Sequence, residues 1–100
     1  MPVYHIVLFR FKQGVTQAQV DHFTLLAKGM VGKIPGLLEL KTGPPLDITA
    51  HRAKGFNMGI VAILEKPADV KVYAEHPAHL ELHNYRESLC EDTLAYDMEF

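Results

Sequence analysis

Tyr73-Ala74-Glu75-His76-Pro77-Ala78-His79 gathers a phenol and two imidazoles around a proline. Such groups can do proton chemistry near neutral pH. A histidine trades protons there, and a phenol donates a hydrogen bond to an oxygen that is gaining charge. Pro77 fixes its own φ and has no N–H, so it belongs in the first turn of a helix and not in an interior. The stretch therefore reads as two helices, one carrying Tyr73 and ending near Glu75, the next opening at Pro77 with His79 in its first turn. A break of this kind can turn the phenol and an imidazole towards one cavity. The structural alternative has His76 and His79 satisfying backbone groups at a helix start.

The elements that must position these groups follow from the hydrophobic pattern. Val3 to Lys12 reads as a strand, with Val3, His5, Val7, Phe9 and Phe11 on one face and Tyr4, Ile6 and Leu8 on the other. His5 stands out as a polar group among apolar neighbours, as either a hydrogen-bonded core residue or a member of the site. Thr16 to Gln19 is a capping box, and Val20, Phe23, Ala27, Met30, Val31 and Ile34 then recur at helical spacing. The spacing predicts a helix to about Gly32 or Lys33, closed by Pro35-Gly36, with His22 and Lys28 on its wet side. Leu37 to Thr42 reads as a second strand and Asn57 to Glu65 as a third. Between them Leu46 to Gly55, holding His51 and Arg52, reads as an exposed loop of about ten residues. Pro67-Ala68-Asp69 opens a short helix through Tyr73. After Pro77 another carries His79, Leu80, Leu82, His83, Tyr85, Arg86 and Leu89. Thr93 to Phe100 closes the chain as a strand, apolar at Leu94, Tyr96, Met98 and Phe100 and polar or small at Thr93, Ala95, Asp97 and Glu99.

This order, β-α-β-β-α-(α)-β, is the α+β ferredoxin-like arrangement, a four-stranded antiparallel sheet with helices on one face. The other face would bear Ile6, Leu8, Tyr96, Met98 and Phe100, an apolar area that calls for cover. A two-fold homodimer placing sheet against sheet supplies it.

Composition narrows the function classes. One hundred residues make one domain, 1–100. A formal net charge of −2, with Lys and Arg scattered, offers no footprint for nucleic acid or for a membrane surface. No apolar run is long enough to span a bilayer, and Tyr4, His5, Arg10 and Lys12 interrupt any secretory leader. The lone Cys90 excludes an internal disulfide and fits a reducing compartment, so the expected location is cytoplasmic. His76, His79 and His83 are spaced i, i+3, i+7, but Pro77 sets His76 apart from the later two, and there is no HExxH motif. No metal site is expected from them.

The run Val3-Tyr4-His5-Ile6-Val7-Leu8-Phe9-Arg10-Phe11-Lys12, the Ile34-Pro35-Gly36 helix end and the Tyr73…His76-Pro77-Ala78-His79 junction together resemble the stress-responsive A/B barrel family. It is a branch of the dimeric α+β barrel superfamily, and the resemblance covers nearly the whole chain. It implies a ferredoxin-like protomer whose sheet closes with a second copy into a barrel. Family members include plant stress proteins without an agreed activity. Others are cyclases that fold linear poly-β-ketide thioesters by intramolecular aldol condensation, with no metal or organic cofactor. The residues such a cyclase uses fall on Tyr73, His79 and His5. The implied roles are His79 as general base on an acidic C–H, Tyr73 as hydrogen-bond donor to the enolate, and His5 as a substrate-orienting group. The matched pocket positions are Val7, Phe9, Phe23, Ala27, Ile60, Ala62, Leu80 and Leu82. The resemblance also marks departures: Ala27 and Thr24 replace larger aromatics, Thr93 and Ala95 replace larger aliphatics, and Glu81 and His83 replace glycines. These imply a wall roomier near the first helix and an entrance narrowed or made polar near the third. Some members hold a cation on main-chain carbonyls matching Val31, Ile34 and Leu37.

Two functions are therefore expected to compete. One is a cofactor-free cyclase-like enzyme acting on a polyketide-like or phenolic molecule. The other is a non-catalytic, stress-related dimer that holds a small apolar ligand, a role needing only the fold and pocket.

Overall fold

The computed structural model describes all residues, 1–100. Strand β1 (Val3–Phe11) lies inside a four-stranded antiparallel sheet of order β2-β3-β1-β4, with β2 at Leu37–Gly43, β3 at Met58–Leu64 and β4 at Cys90–Glu99. Both β1 and β3 are central, and their alternating faces are both apolar, as strands covered on two sides require. Register fixes what shares a face. His5 sits opposite Ala62 on β3 and Asp97 on β4, Val7 opposite Ile60 and Ala95, and Phe9 opposite Met58 and Thr93. A register shift between Arg10 and Phe11 lets β4 begin at Cys90, three residues before the start expected from alternation alone.

Helix α1 (Gln17–Lys28) begins with the expected capping box, Thr16 accepting from the Gln19 N–H and the Gln19 side chain accepting from the Thr16 N–H. It ends about one turn earlier than its apolar period predicts. Gly29 caps it through the Leu25 carbonyl, and turns with Gly32 at φ 89° then carry Met30 and Ile34 into the core. The period continued because burial continued; the helix did not. A six-residue 3₁₀ helix, Asp47–Arg52, occupies the expected β2–β3 loop, with His51 and Arg52 exposed. Helices α2 (Ala68–Glu75) and α3 (Pro77–Glu87) follow β3.

All three helices lie on one face of the sheet. The core between the layers centres on Phe23, Met30, Ile60 and Leu64, with Phe23 meeting Phe9 and Phe11 edge-on at 5.2 and 5.3 Å. Each such side chain contributes roughly 1.5–3 kcal/mol by leaving water. The opposite face of the sheet is uncovered in the single chain. Tyr96 is 60% exposed, Leu94 53% and Phe100 44%, and Tyr4 stacks on Phe100 with ring centres 4.0 Å apart. No helix is long and apolar enough to cross a membrane.

Candidate active site

The helix break at Pro77 sets the geometry. In a continuous helix the Ala74 carbonyl would accept the Ala78 N–H. Here His76 adopts ψ 139° as the N-cap of α3, and its Nδ1 accepts that N–H at 3.0 Å. The Ala74 carbonyl, released, lies 3.0 Å from His79 Nδ1. A carbonyl only accepts, so the proton of neutral His79 sits on Nδ1 and the lone pair on Nε2. Burial lowers the pKa of His79 from 6.5, outweighing the opposite pull of that carbonyl, and His83, His5 and Arg86 push the same way as burial. At neutral pH this histidine is an uncharged base.

Tyr73, on α2, is 2% exposed. Its ring stands edge-on to His5 at 4.8 Å and 4.7 Å from the His79 ring. Burial, reinforced by the Asp97 charge, pushes its pKa up to about 12. The phenol thus keeps its proton and acts as a donor. His5 is 8% exposed, and its Nδ1 lies 2.5 Å from Asp97 Oδ1. The carboxylate fixes the His5 proton on Nδ1, which leaves Nε2 as an acceptor in the neutral ring. A third imidazole, His83, lies 6.0 Å from His79 across α3 and accepts at Nδ1 from the Arg86 guanidinium at 2.9 Å. Its own proton is therefore on Nε2.

These groups border one cavity of about 210 Å³ between the sheet and helices α2 and α3. His5, Tyr73 and His79 all line it, and Val7, Phe9, Ile60 and Leu82 supply apolar wall. The other four matched positions do not reach it. Phe23, Ala27 and Ala62 have no exposed surface and are packed into the core, while Leu80 is 44% exposed on the outer side of α3. Helix α1 contributes no side chain to the cavity, so the small residue at Ala27 does not enlarge it. Thr93 and Ala95 form the β4 wall, and His83 adds a polar edge; Glu81 is exposed away from it. Val70, Ala74, Arg86 and Asp97 were not anticipated. The first three face inward on helices whose polar and apolar positions are mixed. Asp97 becomes visible only once the β1–β4 register sets it beside His5. His76, spent as a cap, does not join His79, and no three His, Cys, Asp or Glu side chains are grouped to hold a metal.

The model of the stress responsive A/B barrel domain matches residues 3–100. The chain belongs to that family. Among relatives of this A/B barrel domain, olivetolic acid cyclase of Cannabis sativa is 26% identical over 98 residues, covering 97% of this chain and 95% of the cyclase. The hydroxynitrile lyase of Passiflora edulis has a similar structure, with TM-score 0.85, 26% identity and coverage of 97% and 91%. A protein of Thermobifida fusca, described as a dimeric ferredoxin-like protein of unknown function, superposes with TM-score 0.86 at 25% identity, covering 100% and 92%. The chain is thus similar to proteins named as a cyclase and as a lyase, and to one described as of unknown function.

Proposed function

We infer that this A/B barrel protein is a cofactor-free acid–base enzyme that makes or breaks a C–C bond next to a carbonyl, with polyketide cyclase-like aldol condensation as the reaction. The observation that carries this reading is His79, held by the Ala74 carbonyl with Nε2 unprotonated, beside a Tyr73 phenol that stays protonated. His79 Nε2 takes a proton from a carbon flanked by two carbonyls. Tyr73 donates to the oxygen on which the enolate charge gathers, an interaction stronger in the transition state than in the ground state. The enolate carbon then attacks a second carbonyl of the same molecule, and His79, now protonated, returns its proton to the new alkoxide. That hydroxyl leaves as water to complete the condensation, and a water molecule cleaves the thioester, the thiol leaving, to give the acid. His5 Nε2 accepts from a substrate hydroxyl and sets its direction, Asp97 holding the ring. The cavity walls choose which carbons meet.

Relatives named as a cyclase and as a lyase support an enzymatic reading of the site. The exposed sheet face supports a homodimer formed sheet against sheet, and the Thermobifida fusca protein is described as dimeric. A non-catalytic binding role would use the apolar wall of Val7, Phe9, Ile60 and Leu82 alone. Product analysis by mass spectrometry separates the two. The protein is mixed with a synthase that releases linear tetraketide thioesters of several tail lengths, and separately with an aromatic cyanohydrin, beside its His79→Ala variant. A cyclised acid, or a released aldehyde, formed only by the unmodified protein establishes the chemistry and its substrate. Identical products with both proteins overturn the enzymatic reading and leave the binding role.

A further inference from the structure

Arg86 has no carboxylate partner. The chain's ion pairs join Arg10 to Asp92, Lys41 to Glu39 and His5 to Asp97, and none involves Arg86. Its guanidinium lines the cavity, is only partly exposed, and lies 5.5 Å from the centre of the Phe9 ring. One of its amino groups donates to His83 Nδ1. A guanidinium has five N–H donors, so most remain unused. The same contact puts the His83 proton on Nε2, making His83 a second donor at the cavity edge. An unpaired cation beside an apolar wall is costly to keep desolvated, and an incoming anion removes that cost.

The cavity is consequently polarised along its length. His5, held from behind by Asp97, lies at one end, Tyr73 and His79 in the middle, and His83 and Arg86 at the other. Asp97, already bonded to His5, does not neutralise Arg86. The size bounds the ligand: a cavity of about 150 Å³ admits benzene, so 210 Å³ admits one ring with a few added atoms.

The geometry points to Arg86 and His83 as a carboxylate-binding pair, so that the molecule held here is a compact ring bearing a free carboxylate, the form reached once the thioester is cleaved. The carboxylate takes the guanidinium and the His83 Nε2–H, and its oxygenated carbon faces Tyr73 and His79. This deepens the proposed function by naming the charge on the ligand, yet its test needs no turnover.

Isothermal titration with 2,4-dihydroxybenzoate and with 2,4-dihydroxybenzamide compares ligands of one shape that differ in charge. Charge-assisted hydrogen bonds to a guanidinium predict roughly 10- to 100-fold tighter binding of the acid. Arg86→Met keeps an unbranched side chain without the charge and should bring the two ligands level, and Arg86→Gln gives a second test of the same loss. His79→Ala should keep the preference for the acid, whether or not His79 is catalytic. Equal binding of acid and amide by the unmodified protein, binding of neither, or a preference that survives both Arg86 variants overturns the assignment.

Discussion

The three cavity imidazoles have the same ordinary basicity and different work because each Nδ1 meets a different partner. His79 donates to a main-chain carbonyl, His5 to a carboxylate, and His83 accepts from a guanidinium. Burial, above all, moves the His79 pKa downward. A base must be unprotonated to act, so the rate should rise with pH to a plateau, with its midpoint below 6.5. It should not fall again until pH approaches the value of about 12 held by Tyr73. A profile of kcat/KM against pH checks both limbs. His79→Ala should lower kcat about 10²- to 10⁴-fold and Tyr73→Phe about 10²- to 10³-fold, with binding of an apolar ligand largely kept. The same shift has a stability consequence. Because the folded pKa lies below the unfolded one, the unfolded chain binds the proton first. Stability is intact above pH 6.5 and is lost as pH falls through the folded pKa, a dependence that His79→Ala should weaken in melting curves taken between pH 7.5 and 5.

At the scale of elements, the α2–α3 break is what frees the Ala74 carbonyl for His79. Pro77 keeps the break when His76 becomes alanine, but the Ala78 N–H loses its acceptor and the first turn that seats His79 loosens. His76→Ala should therefore cost about 1 kcal/mol as a lost cap and lower kcat, up to about 100-fold, with KM little changed; steady-state kinetics beside denaturant melts separate the two effects. The turn before β2 is as constrained. Gly36 has φ +83°, and a Cβ added there would lie 2.4 Å from the Asp69 carboxyl carbon. Asp69 is itself buried, with an oxygen that has no hydrogen-bond partner, so it has little room to retreat. Gly36→Ala should lose about 2–4 kcal/mol, the sum of left-handed strain and overpacking, read as a shifted denaturation midpoint. Thr16→Ala, a lost capping box on an exposed turn, should lose only about 1 kcal/mol.

For the molecule as a whole, the helices satisfy one face of the sheet and leave the other apolar. Ile6 is flanked on that face by Val61 and Tyr96, and Leu8 by Leu94. The outer strand β4 pairs with β1 alone, so its whole length is exposed in a single chain. A second copy would bury that face and stiffen the strand that carries Asp97, Ala95 and Thr93. Tyr96→Lys or Leu94→Glu should convert a dimer to a monomer in analytical ultracentrifugation. The monomer should also hold its cavity ligand less tightly, because the β4 wall loses its support.

The element order, the capping box, the Pro77 break and the open apolar face could all be read in the chain. Each depends on neighbours one to seven residues apart, and local periodicity records those directly. His5, Tyr73 and His79 stand out as candidates for the same reason: two are set by the junction, and the third is an ionisable group in an apolar strand. What only the tertiary structure decided is separated in sequence and joined by register or packing. Asp97 reaches His5 across ninety-two positions because β4 pairs with β1. Arg86 turns inward to set its guanidinium over the Phe9 ring. Phe23, Ala27 and Ala62 share the cavity's composition but lie where close packing leaves no space, and residue type alone carries no signal of that difference.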